Sequence, residues 1–517
     1  MFVAEVSRPP SVSTDLDVHT HWLHITNQLP IAQWYTENST IHTLDYPLFF
    51  AYFEYLLSLP YFLLNVFFVD VLSKEYNLIF NKLSVLFTEL LFLFTIYKFL
   101  HESKNKQSFK KIFYLLMVFN FGILIVDHIH FQYNGFLYGI LLLTIYFMKN
   151  NQPYHSAFSL MILVNMKHLF LVLTPAYFIV LFFGFCIGPG ALIAGEFAKK
   201  LAKLGFVVIF VTILGIAPIL HYRVLGAFLG RLFPFGRGLT HAYWAPNFWA
   251  IYNVVDRVIM RANGELPLFQ KDNIMLICLK FSINAGIKSS TGGLVSEIDH
   301  FYLSKITPPI TLLITLCSIT PILFTLARVS RSKGLDNVVT QKIFIQSIII
   351  SAWSYFIFGW HVHEKAVMTF LLVLNLYSFI YDKKLIKFTF YMNTIAHYSL
   401  TPLIFTLPEQ LPVWTMFLTW TILNMIFVLK SNEIINEDFQ KNVVVSKSRL
   451  KILDSIFITT GKFHLFGLVL LFVVSKIILP LAYAKMEFLP LALTSVYCSF
   501  GICTGFIYCY LNFMEIL

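Results

Sequence analysis

At 517 residues, the chain is 57% hydrophobic, 17% aromatic and only 13% charged, against roughly 25% charged in soluble domains, so water is excluded as its main solvent. Its formal charge of +11 comes in short basic runs between apolar segments, the layout of cytoplasmic membrane loops; a nucleic-acid face would need basic residues interleaved with exposed aromatics on one surface. The cysteines Cys186, Cys278, Cys317, Cys498, Cys503 and Cys509 lie mostly in apolar runs with no CxxC pair, which points to buried thiols and away from a disulfide framework or structural zinc, with Cys503–Cys509 the one pairing left open.

A membrane span needs about 20 mostly apolar residues, because the hydrocarbon is about 30 Å thick and a helix rises about 1.5 Å per residue. In chain order, residues 1–45 are polar and carry Thr14-Asp15-Leu16-Asp17-Val18-His19-Thr20-His21-Trp22, then Gln33-Trp34-Tyr35 and Leu44-Asp45-Tyr46-Pro47. Residues 46–69 are apolar but broken by Pro47, Glu54 and Pro60, and read as an interfacial helix. Spans are expected at 80–100, 112–126 and 136–148. The segment 156–193 must cross an even number of times, as a hairpin or re-entrant pair turning near Lys167 and His168. Further spans are expected at 203–222, 305–327, 342–358, 366–382, 388–407, 411–430, 462–482 and 489–513. The fold class is therefore an all-α polytopic membrane protein of about 11–13 transmembrane helices. Lipid replaces a soluble core, so one domain spans 1–517: a first loop with interfacial helices (1–79), then a bundle (80–517) holding the loop 223–304.

Short loops rich in Lys and Arg stay on the cytoplasmic side. Five such loops hold Lys104, Lys106, Lys110 and Lys111; Lys199, Lys200 and Lys203; Arg328, Arg331 and Lys333; Lys383, Lys384 and Lys387; and Lys441, Lys447, Arg449 and Lys451. Alternation of spans then puts 1–45, 127–135, 223–304 and 359–365 together on the other side. Residues 1–45 fall there with no span before them, so a helix upstream of this sequence is expected.

Those stretches hold the unusual polar residues. A carboxylate at the interface, Asp15 with Asp17 beside it, can take the proton of a sugar hydroxyl, a poor nucleophile by itself. The plain alternative is that Asp15 or Asp45 caps a helix, Asp45 being placed for it before Pro47. Asp127-His128-Ile129-His130-Phe131-Gln132-Tyr133-Asn134-Gly135 ends one span and precedes the next. It is either a site or a turn in which Asn134-Gly135 makes the reversal and the histidines are solvated. In Trp360-His361-Val362-His363-Glu364-Lys365, His363 and Lys365 can donate to a leaving phosphate. Lys167 and Arg237 are further cationic candidates; snorkelling and a loop ion pair are their alternatives. Asp15, His19, His128, His130, His361 and His363 could together imitate a metal site, but no two of the histidines have the i, i+4 spacing that presents two imidazoles from one helix face, so no metal is expected. Asn38-Ser39-Thr40 is an N-glycosylation acceptor.

With these motifs in this order, the chain resembles the endoplasmic reticulum dolichyl-phosphate-glucose glucosyltransferases, multi-span enzymes of the GT-C fold. The resemblance rests on Thr14-Asp15 through Trp22, Leu44 to Pro47, Asp127 to Gly135, Phe233-Pro234-Phe235-Gly236-Arg237-Gly238, and His363-Glu364-Lys365. Within the family, Gly238-Leu239-Thr240-His241-Ala242-Tyr243-Trp244-Ala245-Pro246-Asn247-Phe248-Trp249, Trp360-His361 and Asn134-Gly135 are similar to the enzyme that adds the second glucose; first-glucose enzymes carry an acidic Phe-Glu-Asp-Lys type of stretch after the arginine. The resemblance implies transfer of glucose from dolichyl-phosphate-glucose, in α-1,3 linkage, to the monoglucosylated nine-mannose oligosaccharide on dolichyl pyrophosphate, in the endoplasmic reticulum membrane with the site facing the lumen. No cofactor is implied, the lipid-linked donor being a substrate. Inversion needs one in-line displacement and one base. The resemblance assigns that base to Asp15 and the contact with the leaving phosphate to His363; it places Asp17, Asp45, Asp127, His128, His130, Gln132, Asn134, Lys167, Arg237, His361, Glu364 and Lys365 as substrate-binding candidates. Three departures stand out: the family's usual first helix is absent, Asp17 replaces a common Glu, and Leu48 follows Pro47 where a second proline is usual. The rival readings are the first-glucose enzyme or a mannosyltransferase of the same architecture, and a transporter using Lys167 and the histidines. Against a transporter, the motif layout shows no internal repeat, and the informative residues gather on one side of the membrane instead of at its midplane.

Overall fold

The computed structural model describes residues 13–67, 74–190, 193–241, 244–262, 300, 302–404, 407–441, 450–479 and 489–515. Cys278, Ala242, Tyr243, Lys447, Arg449 and most of the loop C-terminal to Ala262 lie outside the described residues. Among those described, helix dominates and no strand forms; the extended pairing is an isolated parallel bridge, Thr240 with Val362.

In chain order the helices are α1 (Thr14–Gln28), α2 (Leu48–Phe67), α3 (Lys74–Glu102), α4 (Gln107–Ile129), α5 (Asn134–Lys149), α6 (Pro153–Met166), α7 (His168–Ile187), α8 (Ala194–His221), α9 (Leu225–Leu232) and α10 (Phe248–Ala262). They continue with α11 (Pro308–Lys333), α12 (Val338–Phe358), α13 (Val367–Ile380), α14 (Ile386–Leu400), α15 (Leu407–Lys441), α16 (Leu450–Val473) and α17 (Leu489–Glu515). Among the described residues, nine helical segments are long and apolar enough to cross a membrane: Asn77–Glu102, Gln107–Ile129, His168–Ile187, Ala194–His221, Pro308–Lys333, Val338–Phe358, Glu409–Ile435, Thr459–Ile478 and Leu489–Met514.

Three expected spans form helices shorter than the roughly 20 residues a crossing needs. The windows 136–148, 366–382 and 388–407 become α5, α13 and α14, of 16, 14 and 15 residues. Their side chains are buried along almost their whole length, so neighbouring helices, and not hydrocarbon, receive their apolar surface. The segment 156–193 does form two helices meeting at Lys167, whose backbone is extended. The expectation of buried thiols holds for Cys186, Cys498 and Cys509, whereas Cys317 is exposed on α11 and Cys503 is half-buried; all five are free, so Cys503 and Cys509 form no disulfide.

The chain divides into two compact units. The first comprises Met1–Pro234, Leu323–Ile345 and Ile404–Trp420, the second Phe235–Ile322, Gln346–Leu403 and Thr421–Leu517. In the first unit α3 lies against α5, α5 against α6, α6 against α8, and α1 against α2. Gly139 makes the first of these possible: a Cβ there would lie 2.7 Å from the backbone nitrogen of Phe92, and small residues are what let apolar helices approach this closely. On α5, Asn134 opens the helix and Lys149 closes it, about 24 Å along the axis; beside Lys149, Glu102 accepts from it at 3.1 Å.

In the second unit α14 packs against α13, α16 and α17, and α10 against α17. Buried amides join its helices: Asn375 and Asn393 exchange hydrogen bonds of 3.0 and 2.7 Å, and Gln346 donates to the Tyr377 hydroxyl at 2.7 Å. Such bonds hold helices together where apolar surface alone gives no preference between neighbour and lipid.

Candidate active site

The polar motifs form two clusters, one in each unit. In the first, Ser13 caps α1 by accepting from the Leu16 N–H at 3.3 Å, and its hydroxyl donates to the carbonyl of His130. This places Asp15 in the first turn, where the unpaired N–H groups of a helix favour negative charge. Two further contacts fix α1. Buried His19 meets buried Glu54 of α2 at 2.6 Å, its ring packed by Trp22, Phe131 and Tyr133. Asn81 of α3 donates to Thr20 at 3.1 Å. Glu54, which in sequence only interrupts an apolar stretch, is thus the partner of His19, and sequence reasoning had no signal for that pairing.

The end of α4 widens into a π-helical turn over Leu124–Ile129, closed by the His130 N–H on the Ile125 carbonyl at 2.9 Å. Phe131 then takes φ +73°, the left-handed conformation that costs a bulky residue of order 1–3 kcal/mol and is tolerated where surroundings over-determine it. The reversal therefore falls at Phe131, and Asn134-Gly135 open α5 instead of making the turn. Nor are the histidines simply solvated: His128 pairs with Glu89 of α3 at 2.7 Å, and His130 lies 3.4 Å from Asp15.

This geometry aligns a chain of side-chain hydrogen bonds. Lys167 Nζ donates to Asn134 Oδ1 at 2.9 Å, Asn134 Nδ2 to Gln132 Oε1 at 2.6 Å, and Gln132 Nε2 to Asp15 Oδ2 at 2.8 Å. A cation at one end and a carboxylate at the other orient both amides, since each carbonyl must accept from the cationic side and each NH2 donate toward the anion. Asp127, 1% exposed, anchors the middle by accepting from Asn134 Nδ2 at 2.9 Å and from the Gly135 N–H. Lys167 also lies over the Tyr46 ring at 5.1 Å; it turns into this cluster from the junction of α6 and α7. Asp17, two residues beyond Asp15, points about 200° away around α1, and burial, then the charges of Asp45 and Asp15, push the Tyr46 phenol well above its ordinary range. Exposed Asn38 accepts from Arg231 Nη2 at 2.8 Å; Arg231 also holds the carbonyls of Trp34 and Glu37 and was not foreseen from the sequence.

The second cluster comes from two loops. The Thr240–Val362 bridge and the His361 N–H on the Leu239 carbonyl at 3.0 Å set residues 238–241 alongside 361–363. Gly359 allows the tight exit from α12, since a Cβ there would meet the Tyr355 carbonyl at 2.5 Å. Trp249 donates to the Gly359 carbonyl and Asn247 to that of Phe356, at 3.0 and 3.1 Å. His361 and His363 flank Val362 and His241 follows Thr240, so this one bridge brings the three imidazoles together. The ring centroids of His241 lie 3.9 Å from His363 and 5.5 Å from His361.

His361 stands at φ +50° with Nδ1 on the Gly238 carbonyl at 2.7 Å. Burial, then the charge of His241, drive its imidazole down to about 4, Arg237 adding to the effect. Buried Glu364 lies 3.5 Å from His241 Nδ1. Burial alone would raise its carboxyl, but the contact with His241 and the charge of Lys365 outweigh it, leaving it below its ordinary value. His363 is exposed and precedes the short turn Glu364–Ala366 that leads into α13. Of the predicted residues, then, the structure gathers Asp15, Asp127, His130, Gln132, Asn134 and Lys167 in one cluster, and His361, His363, Glu364, Arg237 and Lys365 in the other. His241 is the member that sequence reasoning left out of the site; a third imidazole 120 residues from its partners carries no spacing signal.

The sequence pattern described as the ALG6, ALG8 glycosyltransferase family matches residues 2–509. Among curated proteins the chain is 36% identical to the cattle (Bos taurus) dolichyl pyrophosphate Glc1Man9GlcNAc2 alpha-1,3-glucosyltransferase, over 98% of this chain and 92% of that one. It is 35% identical to the protein of that name from Candida albicans, over 97% and 88%, and 34% identical to that from Arabidopsis thaliana, over 97% and 93%.

Proposed function

The chain belongs to the ALG6, ALG8 glycosyltransferase family, a group of GT-C membrane glycosyltransferases, and on that premise we propose that it adds the second glucose to a lipid-linked oligosaccharide. The donor is dolichyl-phosphate-glucose, the linkage α-1,3, and the acceptor the monoglucosylated nine-mannose oligosaccharide on dolichyl pyrophosphate. The reaction takes place in the endoplasmic reticulum membrane, with the polar motifs toward the lumen. Support for this acceptor comes from relatives at 34–36% identity over nearly the whole chain that carry its name.

The observation that carries the reading is the carboxylate of Asp15, held from one side by Gln132. Asp15 accepts the proton of the acceptor hydroxyl as that oxygen attacks the anomeric carbon; the bond to phosphate breaks on the opposite face, and inversion results. Gln132, Asn134 and Lys167 orient Asp15, so its geometry is set before substrate arrives. His363 donates to the departing dolichyl phosphate, and Arg237 and Lys365 add positive charge near it. Neither Asp15 nor His363 requires a cofactor for these roles.

The decisive experiment incubates purified protein in lipid nanodiscs with labelled dolichyl-phosphate-glucose and each of two acceptors, unglucosylated and monoglucosylated. Transfer to the monoglucosylated acceptor alone is expected. Transfer to the unglucosylated one would assign the first glucose, and transfer to neither would refute the proposal.

A further inference from the structure

The second cluster carries one feature beyond the contact of His363 with phosphate. The ligand atoms of His241, His361 and His363 all lie within 4.8 Å of one another. Two of the three rings have their other nitrogen already engaged. His361 Nδ1 donates to the Gly238 carbonyl at 2.7 Å, which turns Nε2 inward, and that Nε2 is buried with no hydrogen-bond partner. His241 Nδ1 faces the Glu364 carboxylate at 3.5 Å, which leaves its Nε2 on the far side of the ring. A backbone carbonyl on one imidazole and a carboxylate on another are the outer partners that fix tautomer and orientation in histidine metal sites. Glu364 itself is 3% exposed, and its carboxylate faces His241 with the charge of Lys365 nearby, so a negative charge is held beside the rings.

We propose that His241, His361 and His363 bind a divalent metal ion of the class that prefers imidazole, Zn2+ foremost. Three nitrogens without carboxylate or carbonyl ligands suit zinc and disfavour magnesium or calcium, which take oxygen. A tetrahedral zinc at about 2.1 Å from each nitrogen needs the ligand atoms roughly 3.4 Å apart, so the rings close by up to about 1.4 Å through side-chain rotation. Exposed His363 is the side chain with room to make that movement. Three protein ligands leave the fourth position open, and with Arg237 and Lys365 nearby it takes an anionic oxygen, hydroxide or phosphate. The site departs from the expectation of no metal. That expectation rested on the lack of two histidines on one helix face, whereas the ligands here come from two loops paired by a single bridge.

The proposal shares His363 with the reaction proposed above but does not rest on that reaction, and its test reads metal directly. The full chain, purified with chelator, is equilibrated with Zn2+ or Co2+, desalted and analysed for metal content and for the visible absorption of tetrahedral Co2+. About one ion per chain is expected. His241→Ala and His361→Ala should each weaken binding roughly 100-fold or more, and Glu364→Gln about tenfold. His241→Cys, which keeps a ligand at that position, should retain the ion and shows that loss in the alanine variant is not misfolding; His221→Ala, remote in sequence and exposed, should bind as wild type. Wild-type protein without stoichiometric metal, or His241→Ala with wild-type affinity, overturns the site. Glucose transfer is followed on the same samples: transfer without metal uptake sinks this inference alone, and metal uptake without transfer sinks the transferase reading alone.

Discussion

The two clusters hold their functional groups by different means. Around Asp15, side chains on helix ends form a continuous line of hydrogen bonds from Lys167 through Asn134 and Gln132, with buried Asp127 clamping the middle. Around His363, one backbone bridge between two loops brings three imidazoles together. A base must be oriented within tenths of an ångström to take a proton along the reaction path, and the amide chain holds Asp15 in this way. A group that steadies phosphate needs charge and hydrogen-bond donors near a mobile lipid headgroup, and paired loops can present both.

That contrast can be broken or sharpened by substitution. The largest effect is expected for Asp15→Asn, which preserves shape but cannot accept a proton: transfer should fall by about 10³- to 10⁴-fold while thermal stability in nanodiscs stays at the wild-type value. Near-normal turnover would remove the first cluster from the chemistry altogether. His363→Ala should slow transfer by about 10²-fold, the scale of losing one electrostatic stabiliser; an effect as large as that of Asp15→Asn would mean the second cluster is as demanding as the first. Gln132→Ala unties Asp15 from the amide chain and should lower kcat about tenfold with KM little changed. Equal loss in KM would show that Gln132 grips substrate instead of orienting the base. The smallest effect on rate and the clearest on stability belongs to His19→Ala, which leaves the Glu54 carboxylate buried without its partner and should cost about 2 kcal/mol in unfolding free energy. An unchanged melting temperature would show that α1, and Asp15 with it, is held in place some other way.

Much of the first cluster could be read before any coordinates, because its residues are close in sequence. Asp127, His128, His130, Gln132 and Asn134 occupy one turn, and Asp15 and Lys167 stood out as charges beside apolar stretches. What the motif did not disclose was the conformation. The left-handed residue is Phe131 and not Gly135, since Asp127 captures the Gly135 N–H and commits that glycine to a helix start. Glu89, the partner of His128, looked like one more residue of an apolar span. In the second cluster the run from Trp360 to Lys365 was legible, but its union with His241 was not, because a parallel bridge between loops leaves no periodic trace.

Composition and apolar run length by themselves determined that this is a helical membrane protein: an unpaired backbone cannot reside in hydrocarbon, and helices answer that constraint within their own segment. The order of the polar motifs along the chain determined the family. Tertiary structure alone decided which helices were short and enclosed by protein, which buried carboxylates met which histidines, and how Lys167 comes to orient Asp15 through two amides. Those outcomes depend on contacts between residues far apart in the chain, where direction and distance, and not residue type, select the partner.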